Sequence, residues 1–227
     1  MRLRNSIMGA GCAALALGVC ALPATALIPG IPYYDYFNRA SHPPQLLTSV
    51  ELNHMERAET ALRGKDPNRL SGAEGDLRYV LDYFPNHPKA LYALVNVGLD
   101  EKKPQLVDQY LNDAVKTFPR TPSTWLIVGI FQSRVGNTDK AIEAFEKSLE
   151  LDPMQMQAHY NLGLAYVDKK RYDLANQHAQ TAYRMGAPLP GLREKLIKAK
   201  AWNTDVASDA ATPATSAAPV PQAETPK

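Results

Sequence analysis

Cysteine is almost absent from this sequence of 227 residues. The two cysteines, Cys12 and Cys20, both lie within the first 26 residues, a segment that we expect to be removed. The mature chain would then contain none, which excludes a catalytic thiol and a scaffold held together by disulfide bonds. An exported chain of this kind must be stabilised by its buried apolar core.

An excess of charge of one sign is missing as well. The formal net charge is +2, and without Arg2 and Arg4 the 25 basic residues fall to 23, equal to the 23 acidic residues. A protein that binds nucleic acid needs a basic surface to neutralise phosphates. The near-neutral mature chain therefore gives no indication of a nucleic-acid partner.

Sequence motifs of catalysis and cofactor binding are also absent. There is no His-Glu-x-x-His pair, no phosphate-binding P-loop and no Gly-x-Gly-x-x-Gly turn. The five histidines are scattered: His42, His54, His87, His159 and His178. We therefore predict that the protein is not an enzyme and needs neither a cofactor nor a metal.

The first 26 residues have the pattern of a signal peptide. Two arginines form a charged start, residues 7–22 are apolar or small, and Ala24-Thr25-Ala26 fits a signal-peptidase site. We expect cleavage after Ala26 and a location in a bacterial periplasm. Two alternatives stay open: a retained membrane anchor, and an outer-membrane lipoprotein acylated at Cys20, although the bulky Val19 precedes that cysteine.

A repeat with a period of 34 residues follows. Pro85, Pro119 and Pro153 are spaced at this interval, and one more step reaches Ala187, which is followed by Pro188. Proline cannot continue a helix, so each of these positions marks a helix end. A fixed period near this length is typical of a helical array.

Two of the units carry a specific motif. Trp125, Gly129, Ala141, Phe145 and Pro153 fall in one unit. The next unit contains, at corresponding spacing, Leu162, Gly163, Tyr166 and Ala175. In type and spacing these residues resemble the tetratricopeptide repeat (TPR) family.

The resemblance covers about residues 48–187 and implies an all-α fold. It implies a right-handed α-solenoid of about four TPR helix pairs, with a capping helix at the C-terminal end. The repeat boundaries that follow from the period are residues 54–87, 88–121, 122–155 and 156–187. The first helix is expected to begin at Thr48, because Thr48 and Glu51 have the spacing of a capping box.

Each motif residue has an expected packing role. Gly129 and Gly163 let the two helices of a pair approach closely, and Ala141 and Ala175 are small for the same reason. The aromatic residues of the motif are expected to fill the space between neighbouring pairs; they are Trp125, Phe145 and Tyr166. The unit 88–121 departs from the pattern, since Val95 stands at the glycine position and Val107 at the alanine position.

Three segments flank the array. Residues 27–47 form an arm rich in proline and tyrosine, expected either to pack on the first helix pair or to dock a partner through Tyr33–Phe37. Residues 188–202 are predicted to form the capping helix. Residues 203–227 are rich in Ala, Pro, Thr and Ser and have almost no large apolar residue, which predicts a disordered tail.

The resemblance also implies a binding site. Tetratricopeptide repeat proteins bind peptides or partner proteins in a concave groove, which the first helix of each unit lines. The positions that correspond to this groove are Tyr92, Asn96, Leu99, Leu126, Ile130, Arg134, Tyr160, Leu164 and Asp168. Because most of these side chains are apolar or aromatic, we expect an apolar or aromatic peptide, or a partner helix.

One subclass of the family holds a chaperone's C-terminal carboxylate with a clamp of Lys, Asn and Arg. Asn96 fits that clamp, but Tyr92 stands in place of its first lysine and Ile127 in place of its next asparagine. Pro122-Ser123 offers no lysine either. The clamp is therefore not reproduced, which suits an exported protein.

The predicted function is a non-enzymatic periplasmic adaptor or scaffold in envelope assembly or export. The partner is a protein or peptide, and membrane association is open but not favoured. The alternatives are an accessory subunit that binds a small molecule, or a metal at His159 and His178, and the lipoprotein anchored at Cys20.

Overall fold

The protein is represented by a computed structural model, which describes residues 33–64 and 68–203. The predicted signal peptide, with both cysteines, lies outside the described residues. The same is true of residues 27–32 of the arm and 204–227 of the tail. Within the described ranges every regular element is helical.

The α-helices of these ranges follow one another along the chain. They are α1 (Leu46–Val50), α2 (Glu56–Arg63), α3 (Arg69–Tyr83), α4 (Pro88–Asp100), α5 (Pro104–Thr117), α6 (Pro122–Arg134), α7 (Thr138–Leu151), α8 (Met156–Asp168), α9 (Tyr172–Arg184) and α10 (Gly191–Lys198). A π-helical turn, Glu51–Met55, joins α1 to α2 without a break, and a 3-10 turn spans Arg39–Ser41. None of the described helices is both long and apolar enough to cross a membrane.

The start of the first helix corrects a prediction from the sequence. Helix α1 begins at Leu46, whose N–H donates to the carbonyl of Pro43. Thr48 therefore lies inside the helix and caps nothing. The predicted capping box is wrong because the turn after Pro43-Pro44 already starts the helix, and the Glu51 side chain pairs instead with the buried His87.

The connections between helices follow from proline and from backbone geometry. Pro88, Pro104 and Pro122 are the first residues of α4, α5 and α6, where a missing N–H costs nothing. The turns inside the pairs contain residues in the left-handed region, Gly136 at φ 84° and Lys170 at φ 58°. The predicted turns at Gly136-Asn137 and Lys169-Lys170 are thus confirmed.

The helices pack as successive antiparallel pairs. Helix α2 with its π turn pairs with α3, α4 with α5, α6 with α7, and α8 with α9. Helix α10 contacts both α8 and α9 at the C-terminal end of the array. Leu192 and Leu196 of α10 are fully buried there, which confirms the predicted capping helix.

Two clusters of buried apolar residues meet at α6. Ile127 and Phe131 belong to the cluster formed by α1–α5, whereas Leu126 belongs to the cluster formed by α7–α10. Since adjacent residues of α6 face opposite clusters, this helix couples the two halves of the array.

Most of the motif residues have the packing roles predicted for them. A Cβ added at Gly129 would lie 2.4 Å from the ring of Phe145, so this glycine permits the close approach of α6 and α7. Ala141 and Ala175 are fully buried. The nearest neighbour of Gly163 is Leu192 of the capping helix, at 2.6 Å from such a Cβ.

The aromatic motif residues divide into two groups. Phe145 is buried, and the buried Tyr166 donates a hydrogen bond of 2.6 Å to Glu146 of the preceding pair. Trp125 differs from the prediction: it belongs to neither buried cluster and remains partly exposed. Its indole N–H donates to the carbonyl of Pro119 at 2.8 Å. This side chain therefore stabilises the loop before α6 and does not fill the space between pairs.

Candidate functional site

A concave cavity of the described chain lies across the inner faces of α4, α6 and α8. It has a volume of about 760 Å³. The segment 187–189, which leads into α10, closes one side. Three consecutive repeats thus contribute to one cavity, as expected for the concave face of a helical array.

The structure brings together six of the nine predicted groove residues. Those that line the cavity are Tyr92, Leu126, Ile130, Arg134, Tyr160 and Leu164. The other three lie apart from the lining: Asn96 accepts a hydrogen bond from Arg134 at its edge, and Leu99 packs against the N-terminal core. The half-exposed carboxylate of Asp168 lies 3.5 Å from the ammonium group of Lys195 on the capping helix.

Several lining residues are absent from the sequence prediction. Lys89 lies one turn before Tyr92 on α4, so the helical period could have identified it. Leu189 lies in the loop between α9 and α10, where no period indicates which way a side chain points. The tertiary position of that loop is needed to place it in the cavity.

The floor of the cavity is apolar and its edges are exposed. Leu126, Ile127 and Phe145 are each at most 5% exposed and form the floor. At the edges, Tyr92 is 42% exposed and Leu189 is 58% exposed. A site with an apolar floor and accessible aromatic and aliphatic edges can bury apolar groups of a ligand or partner.

The charge in the cavity is of one sign. Lys89 and Arg134 line it, and no Asp or Glu is among the described lining residues. The guanidinium of Arg134 donates to the Asn96 side-chain oxygen and, at 3.4 Å, to the hydroxyl oxygen of Tyr92. The guanidinium carbon of Arg134, Cζ, lies 5.7 Å from the centre of the Tyr92 ring. An aromatic group and a cationic group therefore form one edge of the cavity together.

Tyr160 connects the cavity to the capping helix. Its hydroxyl oxygen accepts the backbone N–H of Leu192 at 3.2 Å. The neighbouring Tyr183 donates to the carbonyl of Leu189 at 2.9 Å and accepts from the N–H of Arg193 at 3.0 Å. Tyr160 is therefore structural as well as accessible, and replacing it would disturb α10 together with the groove.

The two histidines weighed as metal ligands contact each other. His159 Nδ1 and His178 Nδ1 are 2.9 Å apart, and His159 Nε2 is 3.0 Å from the carbonyl of Pro153. Since a carbonyl only accepts, His159 carries its proton on Nε2, and His178 donates from Nδ1. Within the described residues no cluster of three or more potential metal-binding side chains occurs.

Burial keeps this pair neutral. It lowers the pKa of His178 to about 4, with a further contribution from His159, and it also lowers the pKa of His159. Both nitrogens of His159 are already hydrogen-bonded, so a metal would have to displace an existing contact. The geometry assigns the pair a structural role between α8 and α9.

The N-terminal arm packs on the loop between α3 and α4. The N–H of Tyr34 donates to the carbonyl of Tyr83 at 2.9 Å, and that of Tyr36 donates to the buried Asn86 side chain at 2.9 Å. The Tyr36 ring centre is 4.3 Å from that of His87. Of the two readings of the arm, packing is confirmed for this part, while Phe37 remains 56% exposed.

Comparison with known proteins identifies the repeat. Residues 132–190 match the family model described as "Tetratricopeptide repeat". The chain is similar to a solved structure of pilF from Pseudomonas aeruginosa, with 20% identity, coverage of 67% of this chain and 71% of that chain, and a TM-score of 0.53.

A second similar structure is a chain of the APC/C hetero-tetramer Cut9–Hcn1. The identity is 20%, the TM-score is 0.50, and the match covers 64% of this chain but only 29% of that chain. At these identities the likeness concerns the fold alone. It confirms the predicted α-solenoid.

Proposed function

This chain is a tetratricopeptide repeat protein, and from that premise we propose that it is a non-enzymatic periplasmic adaptor. It binds a protein or peptide partner in the cavity formed by α4, α6 and α8. The proposed setting is envelope assembly or export, such as secretion, pilus or polysaccharide export, or cell-wall assembly.

The shape and lining of the cavity carry this proposal. It crosses three repeats, so an extended segment or a helix can contact all three at once. Its floor consists of buried apolar side chains, and its edges include exposed Tyr92 and Leu189. This arrangement provides an apolar surface over a length that suits a polypeptide.

The periplasmic location rests on residues 1–26. The expected mature protein begins at Leu27 and carries no lipid. The mass of the protein purified from envelopes tests this directly. A mature chain that begins at an acylated Cys20 would replace the soluble adaptor with a lipoprotein.

Affinity capture from envelope extract tests the binding role. The bait is the exported protein, compared with a groove variant that combines Tyr92→Ala and Leu189→Ser, both at exposed positions of the cavity edge. The matched control combines Phe37→Ala and Leu52→Ser, which remove an exposed aromatic and an exposed leucine away from the cavity. Circular dichroism verifies that all baits are folded.

We expect a partner that the wild-type and control baits retain and the groove variant loses. A partner lost only from the control would place binding on the arm or on α1–α2, and the groove function would be wrong. A partner held equally by all three baits would contradict the groove as well.

A small-molecule ligand is the second candidate, favoured by one observation. A volume of about 760 Å³ lies within the range of small-molecule sites, roughly 300–1,000 Å³. Native mass spectrometry of the purified protein distinguishes the two. A bound non-protein mass that the Leu189→Ser variant loses would support the ligand-binding alternative.

A further inference from the structure

We infer that the partner segment carries a carboxylate, which docks on Arg134, Asn96 and Tyr92 while its neighbouring apolar side chains fill the cavity. The occupant is a segment of another protein with an Asp or Glu flanked by apolar residues. This inference rests on the proposed groove function and specifies the chemistry of its ligand.

The directions of the hydrogen bonds at this edge leave several N–H and O–H hydrogens unused. A guanidinium cannot accept, so the Asn96 side-chain oxygen and the Tyr92 oxygen both act as acceptors toward Arg134. The amide NH₂ of Asn96 and the hydroxyl hydrogen of Tyr92 remain to be donated. Together with the free N–H groups of Arg134 they suit a carboxylate, which only accepts.

No acidic residue of the described chain neutralises this edge. Neither Arg134 nor Lys89 forms an ion pair within the described ranges. Asp100, one turn after Asn96 on α4, is not paired with Arg134, and Asp168 is engaged by Lys195. The positive charge at the cavity is therefore available to a partner.

The apolar floor beside these donors favours a peptide over a free anion. Ile130 lies one turn before Arg134 on the same face of α6 and lines the cavity with Leu164. A carboxylate held at Arg134 would place adjacent side chains of a peptide over this apolar surface. A small inorganic anion would use the donors and leave the floor in contact with water.

Selection from a phage library of random 12-residue peptides tests the inference. The peptides are displayed at the N-terminus of the coat protein, so that no free C-terminal carboxylate is present. The target is the purified full exported protein. We expect the recovered peptides to be enriched in Asp or Glu next to apolar residues.

Selected peptides are then synthesised with blocked ends and titrated by fluorescence anisotropy. We expect Arg134→Gln to weaken binding by about 10- to 100-fold, the loss of a charge-assisted contact. Arg193→Gln is the matched control, since Arg193 is an exposed arginine that stacks on Trp202 outside the cavity. We expect it to change affinity less than about twofold.

The possible outcomes distinguish failure of the carboxylate inference from failure of the groove function. Peptides without acidic enrichment, whose binding depends on Leu189 but not on Arg134, would overturn the carboxylate and leave the groove function standing. Failure to recover any peptide that depends on Leu189 would overturn both. Selection of basic instead of acidic peptides by the Arg134→Glu variant would support the inference strongly.

Discussion

Gly98 of α4 and Val107 of α5 are in direct contact, because a Cβ on Gly98 would lie only 2.3 Å from Val107 Cγ2. In the third repeat, the small residue of the second helix is Ala141, and Gly129 lies against Phe145. In the second repeat the glycine, Gly98, lies about one turn after the position equivalent to Gly129. There it makes room for Val107, which is larger than the alanine at the equivalent position of the third repeat. In both repeats a glycine of the first helix makes room for a side chain of the second helix, although the residues differ.

We predict that Gly98→Ala destabilises the protein. Overpacking typically costs about 1–3 kcal/mol, which exceeds the helix propensity that alanine gains, at most about 1 kcal/mol. A valine methyl is fixed to a rigid branched carbon and cannot rotate away cheaply. Urea denaturation followed by circular dichroism measures the free energy of unfolding.

Gly75→Ala is the matched control for this substitution. Nothing lies within 4 Å of a Cβ at Gly75 in α3, so alanine should raise stability by about 0.5–1 kcal/mol. Combining Gly98→Ala with Val107→Ala should cost less than the sum of the two single changes, since both act on one contact. If the changes in the free energy of unfolding were strictly additive, Val107 would not be the residue that limits the space at Gly98.

The sequence predicted this array well where spacing alone decides the structure. The helix ends before Pro85, Pro119 and Pro153 occur as expected, because proline stops a helix whatever surrounds it. The role of Gly98 does not follow from the sequence, because the repeat motif has its glycine at the position of Val95. When the glycine moves along the first helix and a larger residue replaces the alanine of the second helix, neither residue matches the motif.

The binding site was harder to predict than the fold. The resemblance to the repeat family implied that Tyr92, Ile130 and Leu164 line a groove, and they line one cavity. It also predicted Asp168, but the capping helix supplies Lys195 to that carboxylate. Contacts made by an element outside the repeat, including Leu189, cannot be read from the repeat pattern.

We predict that Asn86→Ala releases the N-terminal arm. Asn86 is fully buried, donates to Asp35 at 2.7 Å and accepts from the N–H of Tyr36 at 2.9 Å. Removing both bonds leaves polar groups unpaired, which costs about 1–3 kcal/mol. Hydrogen exchange should show faster exchange of the Tyr36 amide.

The control for the arm is Asn161→Ala, since the Asn161 amide donates only to the Gln157 carbonyl of its own helix. That variant should leave exchange at residues 33–42 unchanged. If Asn86→Ala lowered stability but left the Tyr36 amide equally protected, the arm would be held by its aromatic contacts with Phe84 and His87 instead.

We predict that stability falls on acidification through the His159–His178 pair. Burial lowers the pKa of folded His178 to about 4, whereas an unfolded histidine titrates near 6.5. Below pH 6.5 the unfolded chain therefore binds more protons than the folded chain. The stabilising contribution is complete above that pH and is lost progressively toward pH 4.

The measurement compares wild type with His178→Gln by denaturation at pH 7 and pH 5. The wild type should lose on the order of 1–2 kcal/mol more than the variant over this interval. Contributions of other groups, such as the buried His87 whose pKa is also lowered by burial, are common to both proteins and cancel. Equal losses in the two proteins would mean that His178 does not titrate differently in the folded state.

We predict that Leu192→Ala weakens the partner site without altering any of its lining residues. Leu192 is fully buried against Gly163, and truncating a buried leucine costs about 2–5 kcal/mol. In a repeat array each unit is stabilised mainly by its neighbours, so the loss concentrates in α8, α9 and α10. Hydrogen exchange should increase there while α4 and α5 remain protected.

The same change should reach the groove through the capping helix. The N–H of Leu192 donates to Tyr160, and Leu189 precedes α10, so a loosened α10 frees one wall of the cavity. Ile197→Ala, at a residue 54% exposed on the same helix, is the control and should leave both stability and binding intact. Partner binding that survives Leu192→Ala with α10 in rapid exchange would show that α4 and α6 alone form the site. Loss of binding together with that exchange would make the capping helix part of the recognition surface, because it positions the wall that the repeats by themselves do not supply.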